Sequence, residues 1–196
     1  MRFLILFFPL LATATADLSL KIEDQNGKPV EDAVIWVPKI GKPTPTTATI
    51  CQKQRQFSPM VTVIPVGTLV RFPNRDTVQH HIYSFSPVKS FDIPLYSGES
   101  APPITFDLPG VITIGCNIHD WMSAYIIVLD TTAFAQTKAD GVAIIRGVQP
   151  GVTVQVWHPQ LRGKIVEAKA GVDGKIELSL RPIPRRNPPD DSKSSY

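Results

Sequence analysis

Hydrophobic and polar residues alternate at the start of the predicted body of the chain. Three apolar residues, Leu18, Leu20 and Ile22, alternate with polar neighbours. This two-residue period is typical of a half-buried β-strand. The dipeptide Asn26-Gly27 follows, which is typical of hairpin turns. This pattern predicts a strand, a tight turn and a second strand around Val34 and Trp36.

Between residues 60 and 129, short apolar or alternating runs recur with glycine and proline turns between them. No window of this region has a helical period of useful length. The predicted strands are Met60–Ile64, Thr68–Phe72, His81–Phe85, Thr105–Leu108, Val111–Ile114 and Ser123–Leu129. Short strands at such regular spacing favour an all-β sandwich.

The pattern changes after Asp130. Ala139-Asp140-Gly141 precedes an apolar run, and Gln149-Pro150-Gly151 precedes an alternating strand containing Val152, Val154 and Val156. Ile176–Leu180 predicts one more strand. The tail, residues 182–196, has no apolar pattern, and we expect it to be disordered.

The first 16 residues predict a secretory signal peptide. Arg2 is followed by the apolar run Phe3–Leu11, and Ala14-Thr15-Ala16 has the small residues of a cleavage site. The run is about half of the ~20 residues that a membrane span needs, although a short anchor is the alternative interpretation. We therefore expect an exported, periplasmic protein with no membrane span after cleavage.

Composition narrows the possible functions. Charged residues make up 19% of the 196 residues and hydrophobic ones 43%, which is a globular composition. The formal net charge of +3, without a basic run in the body of the chain, argues against a nucleic-acid partner. The 19 prolines suit short strands better than long helices.

The stretch GCNIHDWM contains candidate metal ligands, because Cys116, His119 and Met122 follow one another at equal intervals. A blue-copper site uses a thiolate, two imidazoles and a weak axial thioether, and a short loop between two strands brings three such ligands to one centre. The second imidazole must come from elsewhere, and His80 and His81 are the candidates. Alternate residues of a strand face opposite sides, but this parity alone does not choose between the two.

Other interpretations of these residues are open. A disulfide between Cys51 and Cys116 would remove the thiolate, and export makes such pairing reasonable. Met122 alone fits a core position, and a zinc site is possible, although thioether is a poor zinc ligand. His158 is expected to be an ordinary surface or hydrogen-bonded histidine. Trp121 is expected to pack against the site rather than to stand exposed.

Two segments resemble the cupredoxins, the family of plastocyanin and amicyanin. The turn Asn74-Arg75-Asp76 followed by His80 is similar to the family's first ligand segment, and Cys-x2-His-x2-Met is similar to amicyanin's ligand loop. HHIYSFSPVKSF and GCNIHDWM further resemble bacterial methylamine-utilization-type proteins. The resemblance implies a Greek-key β-sandwich and one copper ion, with the ligands His80, Cys116, His119 and Met122.

The chain departs from the family pattern at two positions. Ile118 stands where amicyanin-like loops have proline before the loop histidine, and His81 stands where the family usually has asparagine after its first histidine. His81 is therefore open to two interpretations, a hydrogen-bond donor that ties the ligand loops together or a ligand itself.

The flanking segments LKIEDQNGKPVEDAVIWV and TKADGVAIIRGVQPGVTVQVWHP resemble two halves of a transthyretin-like or carboxypeptidase-regulatory-like sandwich. This implies a small β domain formed by residues 17–43 and 131–181, with the cupredoxin domain, residues 44–130, inserted between its halves. The alternative is that the flanks are extra strands of one sandwich.

From the resemblance we expect a monomeric electron carrier that exchanges single electrons with larger redox proteins, a dehydrogenase or a cytochrome. Four protein ligands leave no open position for a substrate, so we do not expect an enzyme. The alternatives are a copper carrier or buffer without electron transfer, and a β-sandwich binding module that holds no metal.

Overall fold

The computed structural model describes residues 17–162, 164–169 and 174–181. The predicted signal peptide and the predicted disordered tail lie outside these residues. The first nine strands are β1 (Leu18–Asp24), β2 (Val34–Trp36), β3 (Thr47–Thr49), β4 (Cys51–Lys53), β5 (Gln56–Ser58), β6 (Val61–Pro65), β7 (Thr68–Arg71), β8 (His80–Ser86) and β9 (Lys89–Tyr96).

The remaining described strands are β10 (Ile104–Phe106), β11 (Gly110–Gly115), β12 (Ser123–Leu129), β13 (Phe134–Gln136), β14 (Val142–Ile145), β15 (Thr153–Trp157), β16 (Val166–Lys169) and β17 (Lys175–Leu178). A single 3-10 turn, Pro159–Leu161, interrupts them in the described part of the chain. This confirms the all-β class predicted from the strand periods. Among the described residues, no helix has the length and apolar character needed to cross a membrane.

A sandwich forms from the middle of the chain. A five-stranded sheet, in the order β6-β12-β11-β8-β9, faces a three-stranded sheet, β10-β7-β3. Between them lies a central core of buried residues that includes Val70, Phe72, Ile82, Phe106, Ile112, Ile114, Cys116, Met122, Ala124 and Ile126. Strands β4 and β5 form a separate two-stranded hairpin beside this sandwich.

A second sandwich forms from both ends of the described chain. The sheet β14-β1-β17 faces the sheet β13-β2-β15-β16. Their flanking core includes Leu18, Leu20, Ile22, Ile35, Ala143, Ile145, Val154, Val156, Ile176 and Leu178. The alternating residues of β1 therefore place Leu18, Leu20 and Ile22 in this core.

The Asn26-Gly27 turn forms, but it does not join β1 to β2 in one hairpin. Gly27 has a φ of 74°, and the Asp24 side chain accepts hydrogen bonds from the N–H groups of Asn26 and Lys28. Pairing after the turn is limited to a single bridge between Glu23 and Pro29. β1 and β2 then enter different sheets, because each has apolar surface to bury on opposite sides of the flanking core.

The two sandwiches pack against each other through a third group of buried side chains, the interface cluster. It comprises Val34, Trp36, Val61, Ile127, Leu129 and Trp157. Since β2 supplies Ile35 to the flanking core and Val34 to this cluster, it is buried on both faces. The four sheets of the two sandwiches therefore form a continuous stack.

Thr137 ties the early and late parts of the flanking sandwich together. Its buried hydroxyl accepts a hydrogen bond from the N–H of Ala33 at 2.8 Å and donates one to the carbonyl of Val30 at 2.7 Å. These partners lie 104 and 107 positions away in the sequence.

We expect Thr137→Val to destabilise the protein by about 1–3 kcal/mol for each buried backbone group left unpaired. Urea unfolding of the full chain, followed by tryptophan fluorescence, measures the change. Thr132→Val is the matched control, because the Thr132 hydroxyl is exposed and donates to the carbonyl of Ile40 at 3.1 Å; its effect should stay within about 0.5 kcal/mol. Equal effects of the two substitutions would contradict the role given to Thr137.

Candidate metal centre

Three potential metal-binding side chains meet at one end of the five-stranded sheet. The Nδ1 atoms of His80 and His119 lie 3.9 Å and 3.6 Å from the Sγ atom of Cys116. A ligand atom from each of the three residues lies within 4.8 Å of the others. His80 and Cys116 are buried, and His119 is partly exposed. The cluster therefore offers two imidazole nitrogens and one sulfur to a single point.

These separations suit a shared metal ion. Bonds of about 2.3 Å to sulfur and about 2.0 Å to nitrogen, as at zinc, give S···N distances of roughly 3.5–3.9 Å for angles of about 110–130°. The two observed S···N distances fall in that range. The donor set therefore has the spacing of a metal site without any rearrangement of the strands.

Strand pairing brings the cluster together. His80 is the first residue of β8, and Cys116 follows the last residue of β11. β8 and β11 run antiparallel with Gly115 opposite Tyr83. The segment from Cys116 to Met122 then connects β11 to β12, whose last pair joins Gly115 to Ser123. The loop histidine is thereby returned to the same end of the sheet as His80.

Met122 lies at the other end of this loop. The N–H of Cys116 donates to the Met122 carbonyl at 3.3 Å, and the N–H of Met122 donates to the His119 carbonyl at 2.9 Å. Met122 is buried in the same core as Cys116, with 3% of its surface exposed. The loop thus closes with its thiol and its thioether on the buried side.

Asp76 holds the other ring nitrogen of His80. The Nε2 atom of His80 lies 2.8 Å from Oδ2 of Asp76. Burial raises the pKa of Asp76, but hydrogen bonds from the Arg55 N–H, from His80 and from the Gln54 N–H outweigh burial, and the pKa is lowered. Sequence reasoning missed this role for Asp76, although its position four residues before His80 was the available signal.

The choice between the two adjacent histidines follows from their directions. His80 points into the cluster, whereas the Nε2 atom of His81 lies 2.5 Å from Oδ1 of Asp92 on the outer face of β8. The ring of His81 lies beside that of Tyr83, with centroids 5.8 Å apart. His81 is therefore outside the donor cluster.

The remaining sequence candidates, Cys51 and His158, lie outside the donor cluster. Cys51 and Cys116 are both free thiols, which excludes the alternative disulfide in this structure. The thiol of Cys51 instead donates to the carbonyl of Ser58 at 3.5 Å. His158 caps the 3-10 turn by accepting from the N–H of Gln160 at 3.2 Å.

Trp121 packs against the cluster. Its ring centroid lies 5.2 Å from that of His119, and the His119 ring centroid lies 4.9 Å from that of His80. Trp121 is partly buried. The rings of Trp121, His119 and His80 therefore form a continuous aromatic group.

The protonation of His119 also favours metal binding. Burial lowers its pKa from the usual 6.5, and the electrostatic effects of the nearby His80 and Arg55 side chains lower it further, while Asp76 acts in the opposite direction. A neutral imidazole is the form that binds a metal. The environment of His119 therefore keeps the metal-binding form available at a lower pH than an exposed histidine would.

Comparison with known proteins finds similarity to solved structures of cupredoxins. A purple cupredoxin from Nitrosopumilus maritimus is 27% identical, with 41% of this chain and 98% of that chain covered and a TM-score of 0.38. A copper-containing nitrite reductase from Thermus scotoductus SA-01 is 29% identical over 45% of this chain and 23% of that chain, with a TM-score of 0.39.

Amicyanin from Paracoccus versutus is 19% identical over 42% of this chain and 80% of that chain, with a TM-score of 0.39. No protein-family model and no curated protein matches the sequence.

We expect the metal-free protein to lose stability as the pH falls from about 7 to about 5. Because the pKa of His119 is lowered in the folded chain, the unfolded chain binds this proton more readily below 6.5. The contribution of His119 to the free energy of unfolding is complete above pH 6.5. It is lost as the pH falls through the pKa that His119 has in the folded chain. Urea unfolding of the metal-free protein across this range measures the slope.

His119→Gln should show a smaller loss over the same range, since glutamine does not titrate. An NMR titration of the metal-free protein assigns the effect directly. A His119 midpoint at or above 6.5, or identical slopes for the two proteins, would contradict this prediction.

Proposed function

We propose that this chain is a mononuclear copper protein that carries single electrons between redox proteins, with His80, Cys116, His119 and Met122 as ligands. The observation that carries the proposal is the convergence of two imidazole Nδ1 atoms on one buried thiol, at 3.9 and 3.6 Å. The motif resemblance described above supports the same ligand set.

The donor types favour copper over other metals. Two histidines and a cysteine with a methionine nearby are the ligand set of blue-copper sites, and the soft thioether disfavours zinc. Met122 lies in the same buried core as Cys116 and is joined to it through a backbone hydrogen bond of 3.3 Å. This supports Met122 as the weak fourth ligand.

The chain's own residues provide a stable frame for electron exchange. A copper ion in such a site supplies a one-electron couple between Cu(II) and Cu(I). Strands β8, β11 and β12 fix the ends of both ligand segments, and burial of His80 and Cys116 excludes water. With four protein donors there is no open position for substrate, so we infer a carrier and not an enzyme.

An electron must reach the site through a contact with another protein. His119 is the partly exposed donor of the cluster, and its neighbour Ile118 is 48% exposed. Electron-transfer encounters bury little surface, so a small apolar contact at this loop suits a transient redox partner, either a dehydrogenase or a cytochrome. We further propose that residues 1–16 direct export to the periplasm and that the protein acts there as a monomer.

We also propose that the copper module, residues 44–130, is inserted between two halves of a transthyretin-like domain, residues 17–43 and 131–181. The flanking core supports this division, because Leu20 and Ile35 from the first segment pack with Val154 and Ile176 from the second. The central core draws instead on residues between Ile50 and Val128.

One equivalent of Cu(II) added to the purified mature protein should produce an intense visible band from charge transfer between thiolate and copper. Cys116→Ser should abolish the band because it removes the sulfur. Cys51→Ser is the matched control and should retain it, since Cys51 lies outside the donor cluster. Absorption spectra at equal copper content measure the difference.

The two adjacent histidines provide a second comparison. His80→Asn should weaken or shift the band strongly, whereas His81→Asn should leave it in place. A colourless copper-loaded protein would refute the proposal. A coloured protein that lacks a reversible reduction potential, yet retains Cu(I) and transfers it to an apoprotein, would support the copper buffer instead.

A further inference from the structure

The hairpin formed by β4 and β5 touches both segments that supply the donor cluster. Its two turn residues, Gln54 and Arg55, lie between the paired residues Lys53 and Gln56. The strand patterns in the sequence did not predict this hairpin. The hairpin therefore lies next to both ligand segments.

One contact of the hairpin reaches His80 through a carboxylate. The N–H of Gln54 donates to Oδ1 of Asp76 at 2.6 Å, and the N–H of Arg55 donates to Oδ2 at 2.8 Å. The same Oδ2 atom lies 2.8 Å from Nε2 of His80. With Nε2–H donating to the carboxylate, the Nδ1 lone pair is left to face the cysteine sulfur.

The other contact reaches the loop that contains Cys116, His119 and Met122. The indole N–H of Trp121 donates to the carbonyl of Arg55 at 3.1 Å. The Trp121 ring also lies against the His119 ring, with centroids 5.2 Å apart. Arg55 therefore uses its backbone N–H for the His80 segment and its backbone carbonyl for the loop.

The backbone of the turn is held in an unusual conformation. Gln54 and Arg55 have φ values of 55° and 53°, a region that residues with a Cβ atom rarely adopt. Such conformations persist where surrounding contacts fix them. Here the N–H of Gln52 donates to the carbonyl of Pro73 at 3.0 Å, and the N–H of Arg75 donates to the carbonyl of Gln52 at 2.8 Å. The hairpin is thus fastened to the segment that precedes His80.

We propose that the tip of this hairpin, Gln54–Arg55, acts with Asp76 and Trp121 as a clamp that holds both ligand segments in their metal-binding arrangement before the metal arrives. Asp76 and Trp121 are positioning residues in this account. The copper part of the inference rests on the proposed function, but the clamp itself is a property of the metal-free chain.

Asp76→Asn tests the first contact. The Asn side chain has one acceptor oxygen, so it cannot serve the three donors that Asp76 serves now. We expect a shifted thiolate-to-copper band and a 10–100-fold loss of copper affinity, the range typical for partners of metal ligands. Asp92→Asn is the matched control, because it removes the same charge from the neighbouring pair with His81 and should leave band and affinity unchanged.

Trp121→Phe tests the second contact and remains informative if Asp76→Asn does not fold. It removes the indole N–H and keeps an aromatic ring beside His119, so we expect a shifted band. Trp157→Phe is its control, since the Trp157 indole N–H has no hydrogen-bond partner in the described structure. Trp157 lies in the interface cluster, so its substitution should affect stability and leave the band unchanged.

Hydrogen exchange in the metal-free protein separates the clamp from the copper proposal. The N–H protons of Gln54 and Arg55 and the indole proton of Trp121 should exchange slowly, and those of Gln54 and Arg55 should exchange faster in Asp76→Asn. ¹⁵N NMR should find His80 protonated at Nε2. Exchange at fully exposed rates in the wild type, or equal spectra and affinities for Asp76→Asn and Asp92→Asn, would overturn the clamp. If the wild type binds copper without a thiolate band, the proposed function fails while slow exchange still supports the clamp.

Discussion

The register between β8 and β11 sets the distance between His80 and Cys116, and the candidate centre depends on it. Gly115 lies opposite Tyr83, which leaves His80 and Cys116 beside one another at the end of the sheet. A Cβ atom on Gly115 would lie 3.0 Å from the Tyr83 ring, so glycine allows that ring to pack directly on the backbone of β11. A slip of one residue would turn His80 to the outer face, and a slip of two would move it by roughly 7 Å.

This register is supported from both sides of the sheet. The central core fills one face of the five-stranded sheet, and the interface cluster covers the part of the other face that β6 and β12 form. The flanking sandwich therefore covers β12, because Trp36 and Trp157 bury the outer side chains of that strand. On the outer side of β8, His81 and Tyr83 are partly buried and Phe85 is 82% exposed.

Strands with strong apolar patterns were predictable, and Ser123–Leu129 matches the structure at both ends. β9 was not predicted, because KSFDIPLY contains a proline and exposes half of its eight residues. The β4–β5 hairpin was not predicted either, since Gln54-Arg55 lacks the glycine or asparagine that signals such turns. The three loop candidates, Cys116, His119 and Met122, were recognisable from their spacing. The buried face of β8 was not predictable from hydrophobicity, because Tyr83 and Phe85 are more apolar than Ser84, yet Ser84 is buried.

The loop that carries Cys116 and His119 ends directly at β12, which is enclosed on every side. β12 is hydrogen-bonded to β11 along one edge and to β6 along the other, while Ile126 and Ile127 face two different cores. Strands enclosed in this way open only in the rarest fluctuations of a protein. Asn117 and Ile118, by contrast, face solvent. Movement at the exposed tip of this loop therefore does not require the strand at its base to open.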